Sequence, residues 1–128
     1  MIRVCVVEDH ERVRAGIEAL VNTMGDAGVV ACAGDGREGV RVVERHRPDV
    51  VLMDLAMPVV DGIDATRAIA GRVPSSRVVV LTALRDRTRV DAALGAGAVG
   101  AVLKDADPCE LFQAIRAAAA PSASARAA

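Results

Sequence analysis

Short apolar runs recur along the chain, at Ile2 to Val7, Val29 to Ala33, Asp49 to Met53, Arg77 to Leu81 and Val99 to Leu103. Most are rich in valine, and they are near-continuous in apolar character rather than alternating, which is the pattern of strands buried on both faces. Such strands need a cover on each side. The segments between them supply it: Val13, Ile17, Leu20 and Met24 fall at helical spacing, followed by Val40 and Val43, Thr66 and Ile69, Val90, Ala93 and Leu94, and finally Leu111, Ile115 and Ala118. Breakers separate the two kinds of segment at Asp35-Gly36, Pro48, Pro58, Asp61-Gly62, Pro74, Gly95 to Gly97 and Pro108. A β-α unit repeated in this way predicts right-handed crossovers and one parallel sheet covered by helices on both faces.

Composition narrows what such a sheet can serve. The 128 residues make one domain, and 52% apolar with 26% charged residues exclude intrinsic disorder and fibrous classes. A formal net charge of -1 offers no field for holding a nucleic-acid backbone or an anionic membrane. No apolar run approaches the ~20 residues of a membrane helix, so neither a span nor a signal peptide is expected. Cys5, Cys32 and Cys109 are scattered without a Cys-x-x-Cys pair, which argues against a disulfide framework or zinc site and for a reducing, cytoplasmic location. The single aromatic residue, Phe112, leaves no platform for stacking on bases. After Ala120 the chain is small and polar, so the domain is expected over residues 1–119 and a flexible tail or linker over 120–128.

In an open parallel α/β sheet, ligands bind beyond the carboxyl ends of the strands. The first run ends in Glu8-Asp9, the third in Asp54 and the fourth in Thr82, and the fifth runs into Lys104. Converging carboxylates repel one another, so a cation is expected between them. A hard divalent ion such as Mg²⁺ suits oxygen ligands and leaves positions for a phosphoryl group. Carboxylate nucleophile, metal, ammonium and hydroxyl are together the parts needed to accept one. Singly, each residue has a plainer reading: Glu8 and Asp9 as first-turn acids, Asp54 as a cap, Thr82 as a strand residue, Lys104 as a surface charge. Their coincidence on one edge favours a site. His10 and His46 are expected near helix ends and solvated, and Cys5 and Cys32 as small buried hydrophobes. Gly34-Asp35-Gly36-Arg37-Glu38-Gly39 satisfies a dinucleotide-binding pattern, but it follows the second strand and would set Asp35 and Glu38 against a pyrophosphate. A turn with a helix cap at Asp35 is the simpler account.

Val6-Val7-Glu8-Asp9-His10, Met53-Asp54-Leu55-Ala56-Met57-Pro58 with Asp61-Gly62, Leu81-Thr82-Ala83 and Leu103-Lys104-Asp105 together resemble the signatures of response-regulator receiver domains, the CheY-like family. The resemblance covers about residues 1–119. Glu8-Asp9-His10, Gly97-Ala98-Val99-Gly100 and Leu103-Lys104-Asp105 are most similar to the NarL/FixJ-type subgroup. The resemblance implies a flavodoxin-like, doubly wound (βα)5 fold with strand order 2-1-3-4-5. It implies Asp54 as phosphoacceptor for a sensor histidine kinase. It further implies Mg²⁺, or Mn²⁺, on Glu8, Asp9, Asp54 and the Ala56 carbonyl, with Thr82 and Lys104 on the phosphoryl group and Ala83 small enough to admit it. Polar residues at positions 56 and 84 would help place an attacking water. Ala56 and Leu84 cannot, so autodephosphorylation is expected to be slow.

The subgroup usually carries a DNA-binding output domain that regulates transcription. None is expected in these residues, and DNA would be reached only through a segment outside them. A homodimer formed on phosphorylation would use the last helix around Leu111, Phe112 and Ile115. Two departures stand out: Ala101 where an aromatic switch residue is common, and Asp105 where proline often follows the lysine. The alternatives at this point are a stand-alone receiver acting through protein contacts, a degenerate unphosphorylated one, a flavodoxin-like carrier, and an aspartyl-phosphate phosphatase. Against the carrier stands the acidic loop Glu8 to Glu11, which repels phosphate. Against the phosphatase stands Ala56, where a second Asp is wanted.

Overall fold

The computed structural model describes residues 1–57, 60–83 and 87–120. Strands β1 (Ile2–Val7), β2 (Ala27–Ala33), β3 (Val50–Asp54), β4 (Arg77–Thr82) and β5 (Gly100–Leu103) alternate with helices α1 (Glu11–Asn22), α2 (Gly36–His46), α3 (Gly62–Arg72), α4 (Arg87–Ala96) and α5 (Pro108–Ala119). All strand pairs are parallel and the order is β2-β1-β3-β4-β5. This is the flavodoxin-like α/β fold, as expected. Among the described residues no peptide bond is cis.

The valine runs are buried for the reason their continuity suggests. Successive side chains of β1, β3 and β4 point to opposite faces. Cys5, Val7, Val51, Met53, Val78 and Val80 join one core with Val40, Val43, Ala65, Ile69 and Ala93 of α2, α3 and α4. Val4, Val6, Val50, Leu52, Val79 and Leu81 join the other with Val21 of α1 and Leu111, Ile115 and Ala118 of α5. Each fully buried Val or Leu contributes about 1.5–3 kcal/mol, so both faces are needed to hold the sheet.

Several expectations are corrected. On α1, Val13 and Leu20 are 39% and 37% exposed, and Val21 is the buried residue. The predicted stripe lies along an apolar groove between α1 and α5, which Val13, Ile17, Leu20, Pro108 and Leu111 line. Leu94 is exposed, because α4 lies shallowly on the sheet through Ala93 and Val90. Leu111 and Ile115 do not present a dimer face: both are buried against β4 and its neighbours, and Phe112 alone of that trio is half-exposed. Cys5 is buried as expected, whereas Cys32 is only half-buried. The break near Gly95 falls at Gly97, whose φ of +122 is open to glycine, and Gly95 stays inside α4. Pro58, Leu84 and residues 121–128, including most of the expected tail, lie outside the described residues.

The glycine-rich segment after β2 is a helix start. Asp35 accepts the amide of Glu38 at 2.8 Å and caps α2. A Cβ on Gly36 would lie 2.2 Å from the Val60 carbonyl oxygen, and one on Gly39 2.9 Å from Val7, so close packing accounts for both glycines. Gly62 is tighter still: a Cβ there would stand 2.1 Å from the carbonyl oxygen of Asp54 and 2.7 Å from the Cα of Leu55. The start of α3, capped by Asp61, therefore presses directly on the end of β3. Gly62→Ala is expected to destabilise the fold by about 2–3 kcal/mol. Gly16→Ala, in the middle of α1 with nothing within 4 Å, is expected to stabilise it by about 1 kcal/mol. Urea unfolding of the two variants measures both.

Candidate functional site

Strand register carries the site residues to one edge. Val7 of β1 lies beside Met53 of β3, Asp54 beside Leu81 of β4, and Thr82 beside Leu103 of β5. The residues that follow or close these strands are Glu8, Asp54, Thr82 and Lys104. They meet where the strand order reverses between β1 and β3, the crevice in which this topology binds ligands. All of the strand-end residues named from the sequence are brought together.

Glu8 is fully buried and Asp54 is 2% exposed. The Lys104 ammonium donates to both Glu8 oxygens at 3.0 Å and stands 3.2 Å from Asp54 Oδ1. It reaches them across the end of β4, where its own amide donates to the Thr82 carbonyl at 2.8 Å. Asp54 Oδ1 also accepts the Ala56 amide at 3.2 Å. Asp54 Oδ2 and Asp9 Oδ1 are buried and have no hydrogen-bond partner among the described residues. His10 Nδ1 lies 3.3 Å from Asp9 Oδ1 and 3.5 Å from Glu8 Oε1, in a cluster whose ligand atoms all fall within 4.8 Å of one another.

Burial pushes the Glu8 carboxyl up to about 7, the neighbouring Asp54 adds to the rise, and Lys104 opposes it. Burial pulls the Lys104 ammonium down, but its bonds to Glu8 and the charge of Asp54 outweigh that and hold it above its ordinary value. Two carboxylates thus share one ammonium, with Asp9 beside Glu8 and the buried Asp54 Oδ2 without a hydrogen-bond partner among the described residues. That donor set fits a hard divalent cation, which would take oxygens from Glu8, Asp9 and Asp54.

A cavity of about 270 Å³ opens over Asp54, with Thr82, Ala83, Ala56 and Lys104 in its wall. Ala83 and Ala56 are exposed, so no bulky side chain at either position covers the acid. Two further residues line it that strand-end reasoning missed, His10 and Arg89. His10 is 71% exposed as expected, yet its ring turns toward the acidic pair. Arg89 comes from the first turn of α4 and donates through Nη2 to the Leu55 carbonyl at 2.9 Å. A basic residue in the first turn after Thr82 was the available signal, but loop length hides which way such a turn points.

A model of the response regulator receiver domain matches residues 4–116. The chain belongs to the response-regulator receiver family. It is 42% identical over 118 residues to the transcriptional regulatory protein LiaR of Bacillus subtilis (strain 168), a match covering 92% of this chain and 56% of that protein. The receiver spans about half the length of the curated relatives it matches. A two-component response regulator of the LuxR family from Aurantimonas sp. SI85-9A1 superposes with a TM-score of 0.87 at 38% identity, over 91% of this chain and 84% of that one. A chain of the CheX-CheY-BeF3-Mg²⁺ complex from Borrelia burgdorferi does so with 0.84 at 25% identity, over 91% and 87%. Receivers are normally non-enzymatic signalling domains of two-component systems that typically bind Mg²⁺. No helix among the described residues is long and apolar enough to cross a membrane.

The raised Glu8 carboxyl has a definite consequence for stability. Between its ordinary value of 4.5 and about 7 the folded chain holds a proton that the unfolded chain has lost. This group's contribution to stability therefore falls as pH rises through that window and levels above it. Glu8→Gln is expected to remove that slope and to be more stable than wild type by about 1 kcal/mol in alkaline, Mg²⁺-free buffer. Urea unfolding of both proteins across the window checks it; an unchanged slope would show that Glu8 is not the group responsible.

Proposed function

We propose that this receiver accepts a phosphoryl group on Asp54 from the phosphohistidine of a sensor histidine kinase, or from a small donor such as phosphoramidate. The observation that carries the reading is the setting of Asp54: a buried carboxylate at the end of the central strand, one oxygen held by Lys104 and the other unpartnered, beneath an open cavity. In the transfer, Asp54 Oδ2 bonds to phosphorus as the bond from phosphorus to the donor nitrogen breaks, and the leaving nitrogen takes a proton from solvent. Lys104 screens the charge on the phosphoryl oxygens, and Thr82, which lines the cavity, offers a hydroxyl donor to one of them. Mg²⁺ on Glu8, Asp9, Asp54 and the Ala56 carbonyl would neutralise the charge gathered there when bound. Catalysis here is mostly positioning and charge.

The likeness to LiaR supports a transcriptional output, exerted through a domain beyond the aligned half, with a sensor histidine kinase as partner and the receiver in the cytoplasm. Asp54→Asn is expected to abolish labelling by phosphoramidate, and a chelator to abolish labelling of wild type. Persisting label in either case would refute the assignment. The phosphorylated state is expected to be long-lived, because Ala56 offers no hydrogen bond to an attacking water. Ala56→Asn is expected to speed loss of the label several-fold in a dephosphorylation time course. Leu84, the other position expected to govern this step, lies outside the described residues.

A further inference from the structure

Helix α4 meets the sheet through small side chains. Its buried residues are Ala93 and Ala96, with Val90 half-covered, and its Leu94 is exposed. Ala101 of β5 is exposed, so no large side chain from that strand fills the space its face offers. At its far end α4 meets α3 closely, since a Cβ on Gly97 would stand 2.5 Å from Ala70. At its near end a polar tie reaches the site: Arg89 donates to the Leu55 carbonyl at 2.9 Å, one residue beyond Asp54, and lines the same cavity as Asp54, Thr82 and Lys104.

We infer that Arg89 reads the phosphoryl group in this chain, exchanging its bond to the Leu55 carbonyl for one to a phosphoryl oxygen and drawing the first turn of α4 toward the site. The inference rests on the phosphoacceptor role of Asp54 proposed above. Phosphorylation puts three anionic oxygens into a cavity that Arg89 already lines. The Leu55 carbonyl is a neutral acceptor, whereas phosphoryl oxygens carry charge and the planar guanidinium can engage two of them at once. Lys104 is already shared between Glu8 and Asp54, so a second cation has a distinct place to act. Because Arg89 sits on α4 itself, its differential contact in the two states biases the position of that helix, which is what a population shift requires. A helix held by alanines resists such a displacement weakly. Transmission then runs through an ionic tether in place of an aromatic side chain on β5.

The test uses the full chain with Mg²⁺ and beryllium fluoride as the phosphoryl mimic, comparing wild type with Arg89→Gln, Arg89→Lys and the control Arg87→Gln. Arg87 shares the first turn but does not line the cavity. Mimic affinity is read by titration calorimetry and the response of α4 by amide hydrogen exchange. Wild type and Arg87→Gln should bind alike and gain protection in the first turn of α4. Arg89→Gln should bind the mimic about tenfold more weakly and lose the α4 response, and Arg89→Lys should fall between them because it keeps the charge without the planar fork. Labelling of Asp54 by phosphoramidate is followed alongside. A wild-type chain that takes no label overturns the phosphoacceptor reading, and this inference with it. A wild-type chain that labels, with Arg89→Gln matching it in mimic affinity and α4 protection, overturns this inference alone.

Discussion

The arrangement depends on one constraint, the confinement of Glu8, Asp9 and Asp54 at adjacent strand ends with Lys104 between two of them. Buried carboxylates this close repel, and a single ammonium cannot satisfy all their oxygens. The chain tolerates the cost because the surrounding sheet leaves no alternative. Val7, Met53 and Leu81 are locked in register within two aliphatic cores, and Gly62 lets α3 close directly behind Asp54. The strain is local and the core is what holds it in place. A divalent cation would relieve it, which is how an unfavourable cluster becomes a receptive one.

The chemistry of the site follows from the same geometry. Asp54 has one oxygen held and one without a partner among the described residues, so the oxygen that the proposed transfer would use is set by what the other is bonded to. Lys104 arrives from β5 across the end of β4, and its position is tied to Thr82 through the backbone. A shift at either strand end is therefore felt by the acid. Arg89 extends this connection to α4, whose seat on the sheet is shallow.

Much of this was legible in the residues. Continuous valine runs separated by amphipathic segments have few other solutions than a parallel sheet covered on both faces, and once the sheet is granted, the strand-end rule selects Glu8, Asp9, Asp54, Thr82 and Lys104. What was not legible depends on how helices lie on the sheet. The spacing of Val13, Ile17 and Leu20 marks an apolar face but not the open groove beside α5 into which it turns. Leu111 and Ile115 have the same spacing whether they face a partner or their own core, and here they face the core. Arg89 stands outside every strand-end motif, and the placement of α4 brings it to the Leu55 carbonyl.

The acidic cluster is held together at a cost that a divalent cation would relieve. The most direct test of that cost is the unfolding free energy of wild type and Asp54→Asn, each with and without Mg²⁺. Asparagine keeps an acceptor for Lys104 and removes one repelling charge, so without Mg²⁺ the variant should be more stable than wild type by about 1–2 kcal/mol. Added Mg²⁺ should stabilise wild type more than the variant and narrow that gap. A less stable Asp54→Asn protein in Mg²⁺-free buffer, or a wild type indifferent to Mg²⁺, would contradict the account.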